Sequence, residues 1–246
     1  GVQIAFSERS GGVSAPPYGS LNLAGHVGDR PDAVDDNRGR LLSALGIGRL
    51  RASLTCAEQV HGDRVVVVGP AEAGAGAFVE RGAPPVPQCD ALVTAMPDVP
   101  LMLLFADCVP VVLVAPGGVV GVVHSGWRGA LAGIVGSTVR AMAARFAVEP
   151  SNLSAYIGPH IGGCHYQTDE GILSHFVNTF GTVARAESGG LDLGAVVTAT
   201  LTDAGVDSCS ITSLGTCTAE ATDRFYSYRA ESGRTGRHCA LVCITS

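Results

Sequence analysis

The apolar positions of this chain fall into blocks that change period along its length. "GVQIAFSER" at the start reads as a strand. "RPDAVDDNRGRLLSALG" (30–46) reads as a helix, with Pro31 near its start, acidic residues in its first turn and Gly46 at its end. "RVVVVG" (64–69) is a second strand. Three apolar runs then follow one another: "DALVTAM" (90–96), "LMLLFADCVPVVLVAP" (101–116) and "VVGVVHSG" (119–126). They are near-continuous in Val and Leu, the pattern of strands covered on both faces. The middle run is too long for one strand, and a bend is expected at Asp107–Pro110. From Trp127 to Phe146, Leu131, Ile134, Val135, Val139 and Met142 recur at helical spacing, so one helix is expected there. "LSAYIGP" is a further strand, "DEGILSHFVNTF" and "DLGAVVTATLTDAG" are helices, and "DSCSITSLG" and "HCALVCITS" are late strands.

Strands and helices alternate only loosely. The expected fold class is therefore α/β in the mixed α+β sense: one domain over 1–246, with mixed sheets flanked by helices. Two loops are long, "SGGVSAPPYGSLNLAGHVGD" and "GPAEAGAGAFVERGAPPVPQ". Loops of that length in a compact domain are often functional.

Composition narrows the chemistry. Hydrophobic residues make up 46% of the 246 and charged ones 15%, a globular balance. All 16 basic residues are Arg, so Schiff-base lysine and P-loop lysine chemistry are excluded. The net charge of −6 and the absence of a basic stripe argue against nucleic acid as a partner. The longest apolar region, Val109–Val123, is interrupted by Pro116, Gly117 and Gly118, which argues against a membrane span. No basic segment followed by an apolar stretch opens the sequence, and the eight cysteines include no CxxC. Reduced thiols in a cytoplasmic protein are expected.

His61 in "EQVHGDRVVVV", Cys108 in "FADCVP" and His124 in "VVGVVH" each lie at the end of an apolar strand beside Gly or Pro. Strand ends of α/β folds converge at one edge, where sites form. Two imidazoles and a thiolate suit zinc, and three protein ligands leave a fourth position open, the layout of a catalytic zinc site. The same residue types also serve as core histidines and a small buried thiol, and His124 with Cys108 could equally form a base–nucleophile pair. Asp107, beside Cys108, is a candidate for a supporting or proton-handling role. Arg128, four residues after His124 at the start of a helix, suits a phosphate or carboxylate; Trp127 beside it reads as packing or as a surface for a base or sugar. "IGPHIGGCHYQ" offers Cys164, His165 and His160 in a Gly-rich turn. "DRFYSYRAESGRTGRH" gathers Arg and aromatic residues that could meet an anionic, planar ligand. No GxSxG elbow occurs, which disfavours an α/β-hydrolase serine enzyme.

Taken in order, "PPYGSLNLAGHVGD", Asn37–Arg38, "QVHG", "ADCVP", "HSGWRG", "GPHIGGCHY" and "FYSYR" resemble the bacterial laccase-domain family, variously called polyphenol oxidase, purine nucleoside phosphorylase and peptidoglycan editing factor. The resemblance covers nearly the whole chain. It implies a zinc site at His61, Cys108 and His124, and phosphorolysis of purine nucleosides (adenosine, inosine, methylthioadenosine) with adenosine deamination as a second activity. It adds Asn22 and Arg38 as substrate contacts. Ser125 stands where Ala is usual, and His165 where a second Cys is common. Small-molecule partners and a monomer or small homo-oligomer are expected. Copper is the alternative metal, although seven histidines without an H-x-H pair do not fit a multicopper centre. Hydrolytic editing of a cell-wall precursor is the other activity that the same residues could serve.

Overall fold

The computed structural model describes residues 1–246. Its elements are β1 (Val2–Phe6), α1 (Pro31–Ala44), β2 (Thr55–Cys56), β3 (Val65–Val67), β4 (Ala91–Thr94), β5 (Leu101–Phe105), β6 (Val109–Ala115), β7 (Val119–Ser125), α2 (Trp127–Ala132), α3 (Ile134–Phe146), β8 (Ser154–Ile157), α4 (Glu170–Phe180), α5 (Leu193–Asp203), β9 (Ile211–Ser213) and β10 (His238–Ile244). Two mixed sheets result, a four-stranded one in the order β1-β10-β5-β2 and a six-stranded one in the order β3-β4-β7-β6-β8-β9. The mixed α/β architecture expected from the pattern is the one observed.

The apolar runs are explained by layering. Leu101, Leu103 and Phe105 of β5, with Ala240 and Val242 of β10, face Leu92, Val112, Val120 and Val122 of the other sheet, forming a core between the two sheets. Their alternates, Met102, Leu104, Cys239, Leu241 and Cys243, face Leu41 and Leu42 of α1. The alternates of the larger sheet, among them Val111, Leu113 and Val123, pack under α2, α3, α4 and α5. The bodies of the central strands are thus near-continuously apolar because they are covered on both sides, and polar residues enter only at their ends: Thr94, His124, Ser125 and His238.

Asp107 marks the bend. The chain leaves the four-stranded sheet at Phe105, turns with Asp107 at φ 89°, and enters the six-stranded sheet at Val109. One expectation is corrected: 127–146 is two helices, because Gly133 takes φ 80° as the cap of α2 and re-aims the chain into α3. The short strand β2 has no counterpart in the apolar pattern, because its two residues are too few to show a period. All eight cysteines are free.

Candidate metal centre

The pairing registers bring three distant segments to one point. β7 runs antiparallel to β6 with Pro110 opposite His124 and Val109 opposite Ser125, which sets Cys108 beside Gly126. β4 pairs with β7 so that Ala91 faces Val123, and the His124 amide donates to the Asp90 carbonyl at 2.8 Å. β3 runs parallel to β4, and the Asp90 amide donates to the Arg64 carbonyl at 3.1 Å, drawing in the turn that carries His61. The ligand atoms of His61, Cys108 and His124 consequently lie within 4.8 Å of one another. The two imidazole rings meet edge to face with centroids 4.8 Å apart.

Asp90 organises this cluster. Its carboxylate is fully buried and accepts four hydrogen bonds: from His61 N (3.0 Å) and His124 Nδ1 (2.8 Å) on Oδ1, and from Val60 N (3.2 Å) and Gly62 N (2.7 Å) on Oδ2. The bond at Nδ1 leaves Nε2 of His124 to serve as the ligand atom, a carboxylate–histidine arrangement that fixes ring orientation at metal sites. Burial alone would push the Asp90 carboxyl up, but the His124 imidazole and the backbone donors outweigh it and hold its pKa below the ordinary value. Sequence reasoning missed Asp90. Its only signal is an acid placed directly before a fully apolar strand, in "QCDALVT".

Electrostatics couple the three donors. Burial opposes the Cys108 thiolate, but the His124 and His61 rings prevail and bring the thiol down to about 6. Burial likewise opposes a charged His124, but the Cys108 thiolate and Asp90 raise it to about 9. Such a thiolate–imidazolium pair is ready to exchange its proton for a cation. Space also fits the cluster. A Cβ on Gly126 would come within 2.9 Å of His61 Cδ2 and 3.0 Å of Cys108 Sγ; one on Gly129 would stand 3.0 Å from the Gly62 carbonyl oxygen. Both glycines of "HSGWRG" are therefore required by close approach of the His61 turn to α2. The donor set, its spacing and its carboxylate support together suit a metal ion with one open position.

The cluster forms one wall of a cleft of about 1080 Å³. Arg128, Arg229 and Arg237 line it together with Trp127, Tyr166 and Tyr228. The Arg128 guanidinium lies 4.2 Å from the Trp127 ring centroid. Gln59 of "QVHG" braces the floor: its amide donates to the Leu104 carbonyl at 2.9 Å and accepts from the Leu104 amide at 2.8 Å.

The remaining expected site residues sit differently. Asp107 borders the cleft, but its carboxylate accepts from Thr218 Oγ1 (2.6 Å) and the Arg229 amide (2.7 Å), joining the cleft walls. Arg38 is buried, donating to the carbonyls of Leu23 (2.9 Å), Gly76 (2.8 Å) and Ala77 (3.3 Å). Asn22, fully buried, donates to Asp29 (2.8 Å) and accepts from the Arg237 amide (2.9 Å). Neither Arg38 nor Asn22 lines the cleft; both tie together the loops that do, because their polar groups are taken up by the protein itself.

Fold and site together define an α/β protein in which a His/Cys/His cluster that could hold a metal ion stands in the wall of a cleft lined by three arginines. A family model described as multi-copper polyphenol oxidoreductase laccase matches residues 3–245, and the chain belongs to this family. It is 37% identical to the purine nucleoside phosphorylase YlmD of Geobacillus stearothermophilus over 250 residues, covering 98% of this chain and 90% of that protein. It is 39% identical to the purine nucleoside phosphorylase SCO2081 of Streptomyces coelicolor, covering 99% and 96%. The crystal structure of YlmD from Geobacillus stearothermophilus superposes with a TM-score of 0.93, covering 100% of this chain and 93% of that one at 35% identity.

Proposed function

We propose that the protein is a zinc-dependent purine nucleoside phosphorylase acting on adenosine, inosine or methylthioadenosine, with adenosine deamination as a side activity. The observation that carries this reading is the open His61/Cys108/His124 set facing a cleft that three guanidiniums and three aromatic rings share. The names of the relatives supply the substrate class.

In phosphorolysis an oxygen of phosphate bonds to C1′, the C1′–N9 bond breaks, and the purine leaves after taking up a proton. Arg128, with Arg229 and Arg237 of the same cleft, is assigned to the phosphate, because planar guanidiniums match phosphate oxygens in pairs. Trp127, Tyr166 and Tyr228 supply flat apolar faces for base and sugar. His61, Cys108 and His124 would hold the zinc, which when bound supplies a Lewis acid and lowers the pKa of water toward neutrality. Asp90 keeps His124 in the tautomer that presents Nε2, and Asp107 keeps the Arg229 backbone at the rim.

The test is to quantify bound metal and incubate the protein with adenosine and phosphate. Ribose 1-phosphate with adenine is the expected product pair, and inosine or hypoxanthine would report deamination. Zinc-loaded protein that leaves every nucleoside intact, while oxidising phenols only with copper, would overturn the reading. So would a Cys108→Ala variant with full metal content and full turnover.

A further inference from the structure

The turn that follows β8 is joined to the segment that follows β9 outside the cleft. The His160 amide donates to the Thr216 carbonyl (3.2 Å), and the Thr218 amide to the His160 carbonyl (3.0 Å). At this junction stands a second gathering of metal-ligating side chains, two of them thiols. Cys164 Sγ, His165 Nδ1, Cys217 Sγ and a Glu220 carboxylate oxygen all lie within 4.8 Å of one another. The separations are 3.1 Å for His165 Nδ1 to Cys164 Sγ, 3.3 Å for Cys164 Sγ to Glu220 Oε1, 3.4 Å for His165 Nδ1 to Glu220 Oε1 and 3.7 Å for Cys217 Sγ to His165 Nδ1. Bonds of about 2.0–2.3 Å to a tetrahedral zinc place donor atoms roughly 3.3–3.8 Å apart, so these are close to the edges of one coordination tetrahedron.

Two further features prepare the site. The Gly162 amide donates to Cys217 Sγ at 3.2 Å, an N–H···S bond that steadies a thiolate. A Cβ on Gly162 would lie 3.1 Å from Cys164 Sγ and 3.5 Å from Cys217 Sγ, so the glycine leaves the sulfurs room to converge. Cys217 is buried, and the other three donors are exposed.

We propose that Cys164, His165, Cys217 and Glu220 form a second metal site, closed by four protein donors, for a thiophilic divalent cation of the zinc class. Two thiolates and an imidazole select such an ion over magnesium or calcium. Four donors leave no position for substrate, so the site is structural. On binding, the Cys164 and Cys217 thiols release their protons to solvent as the S–metal bonds form. The ion would clamp one wall of the cleft. Tyr166 follows His165 directly, Arg229 Nη1 donates to the Gln167 carbonyl at 2.9 Å, and Thr218 next to Cys217 holds Asp107. This proposal stands apart from the purine reading, since no substrate enters it.

The test uses the full chain carrying Cys108→Ala, which removes the thiolate of the first site. The protein is reduced, stripped with a chelator and titrated with Co²⁺ and then Zn²⁺. One equivalent of Co²⁺ with thiolate-to-metal charge-transfer absorption, displaced by Zn²⁺, is expected. Adding Cys164→Ser, at an exposed position that leaves folding intact, should weaken binding by at least about 100-fold. Glu220→Gln should weaken it by roughly 10-fold, on the scale of ligand-shell losses. Absence of charge-transfer absorption would overturn the proposal. So would absorption unchanged by Cys164→Ser and Glu220→Gln, which would mark adventitious binding. A Cys164–Cys217 disulfide in the isolated protein, with no metal uptake after reduction, would likewise overturn it in favour of a redox pair.

Discussion

Replacing Asp90 by Asn tests the claim that one buried carboxylate assembles the metal centre. Asn keeps the shape but turns one acceptor oxygen into an NH2 donor. Oδ1 and Oδ2 each accept two hydrogen bonds, so whichever way the amide turns, two N–H groups face a donor. A buried donor left without its partner costs about 1–3 kcal/mol, which gives roughly 2–6 kcal/mol for the pair. In a chain of this size that lowers the melting temperature by roughly 5–20 °C. Loss of the carboxylate behind His124 should also weaken zinc binding by about 10–100-fold. Thermal unfolding of the metal-free protein reads the first effect, and competition with a chromophoric chelator reads the second. An Asp90→Asn protein that binds zinc within about threefold of the parent would refute the reasoning, whatever its melting temperature.

Gly126→Ala should reduce metal affinity more than stability, because its backbone (φ −81°, ψ 176°) accepts Ala while the new methyl collides with His61 and Cys108; equal zinc affinity by chelator competition would contradict this. Ser125→Ala should be neutral or stabilise by up to about 1–3 kcal/mol, since the buried Ser125 Oγ has no hydrogen-bond partner; a marked loss in urea unfolding would show an unrecognised one. His238 gives a pH signature. Burial, then Arg237 and more weakly Arg9, lower its pKa to about 3 against 6.5 in the unfolded chain; the Pro159 carbonyl opposes this by more than Arg9 adds, though neither ring nitrogen makes a hydrogen bond of ordinary geometry. The unfolded state therefore takes up a proton that the folded state refuses, and stability falls as pH drops from about 6.5 toward 3, by roughly 2 kcal/mol at pH 5. Urea unfolding at pH 7 and 5 should show a steeper loss in the parent than in His238→Phe; identical slopes would refute the assignment.

The layers of the fold were legible because burial on both faces writes itself into strands as unbroken Val and Leu, and the bend at Asp107 because no strand is that long. The break at Gly133 was hidden: Leu131 and Ile134 keep helical spacing across it, and one glycine inside a periodic run does not announce a cap. His61, Cys108 and His124 stood out as polar residues ending apolar strands. Asp90 shares that position, yet an acid before a strand is common, and its role emerges only from the registers of β3, β4 and β7. Arg38 and Asn22 came from motif likeness, which marks importance without separating a ligand contact from a loop brace. Cys164 and His165 were visible as a turn, but Cys217 and Glu220 lie more than fifty residues on, and only the β8–β9 pairing unites them.

The position of β10 bears on how the molecule assembles. It lies between β1 and β5, so both neighbours wait for the final strand before their facing backbone groups are paired. The β6–β7 hairpin can close locally through Gly117 and Gly118, whereas β1 must join a partner about 240 residues away, Val2 opposite Ile244. Such long-range pairing folds slowly. During synthesis, β1 and β5 therefore spend an interval as open apolar edges, the state most exposed to pairing with another chain. A ribosome stalled before residue 238 would carry a half-built sheet, and chaperone demand should peak there and fall once β10 enters.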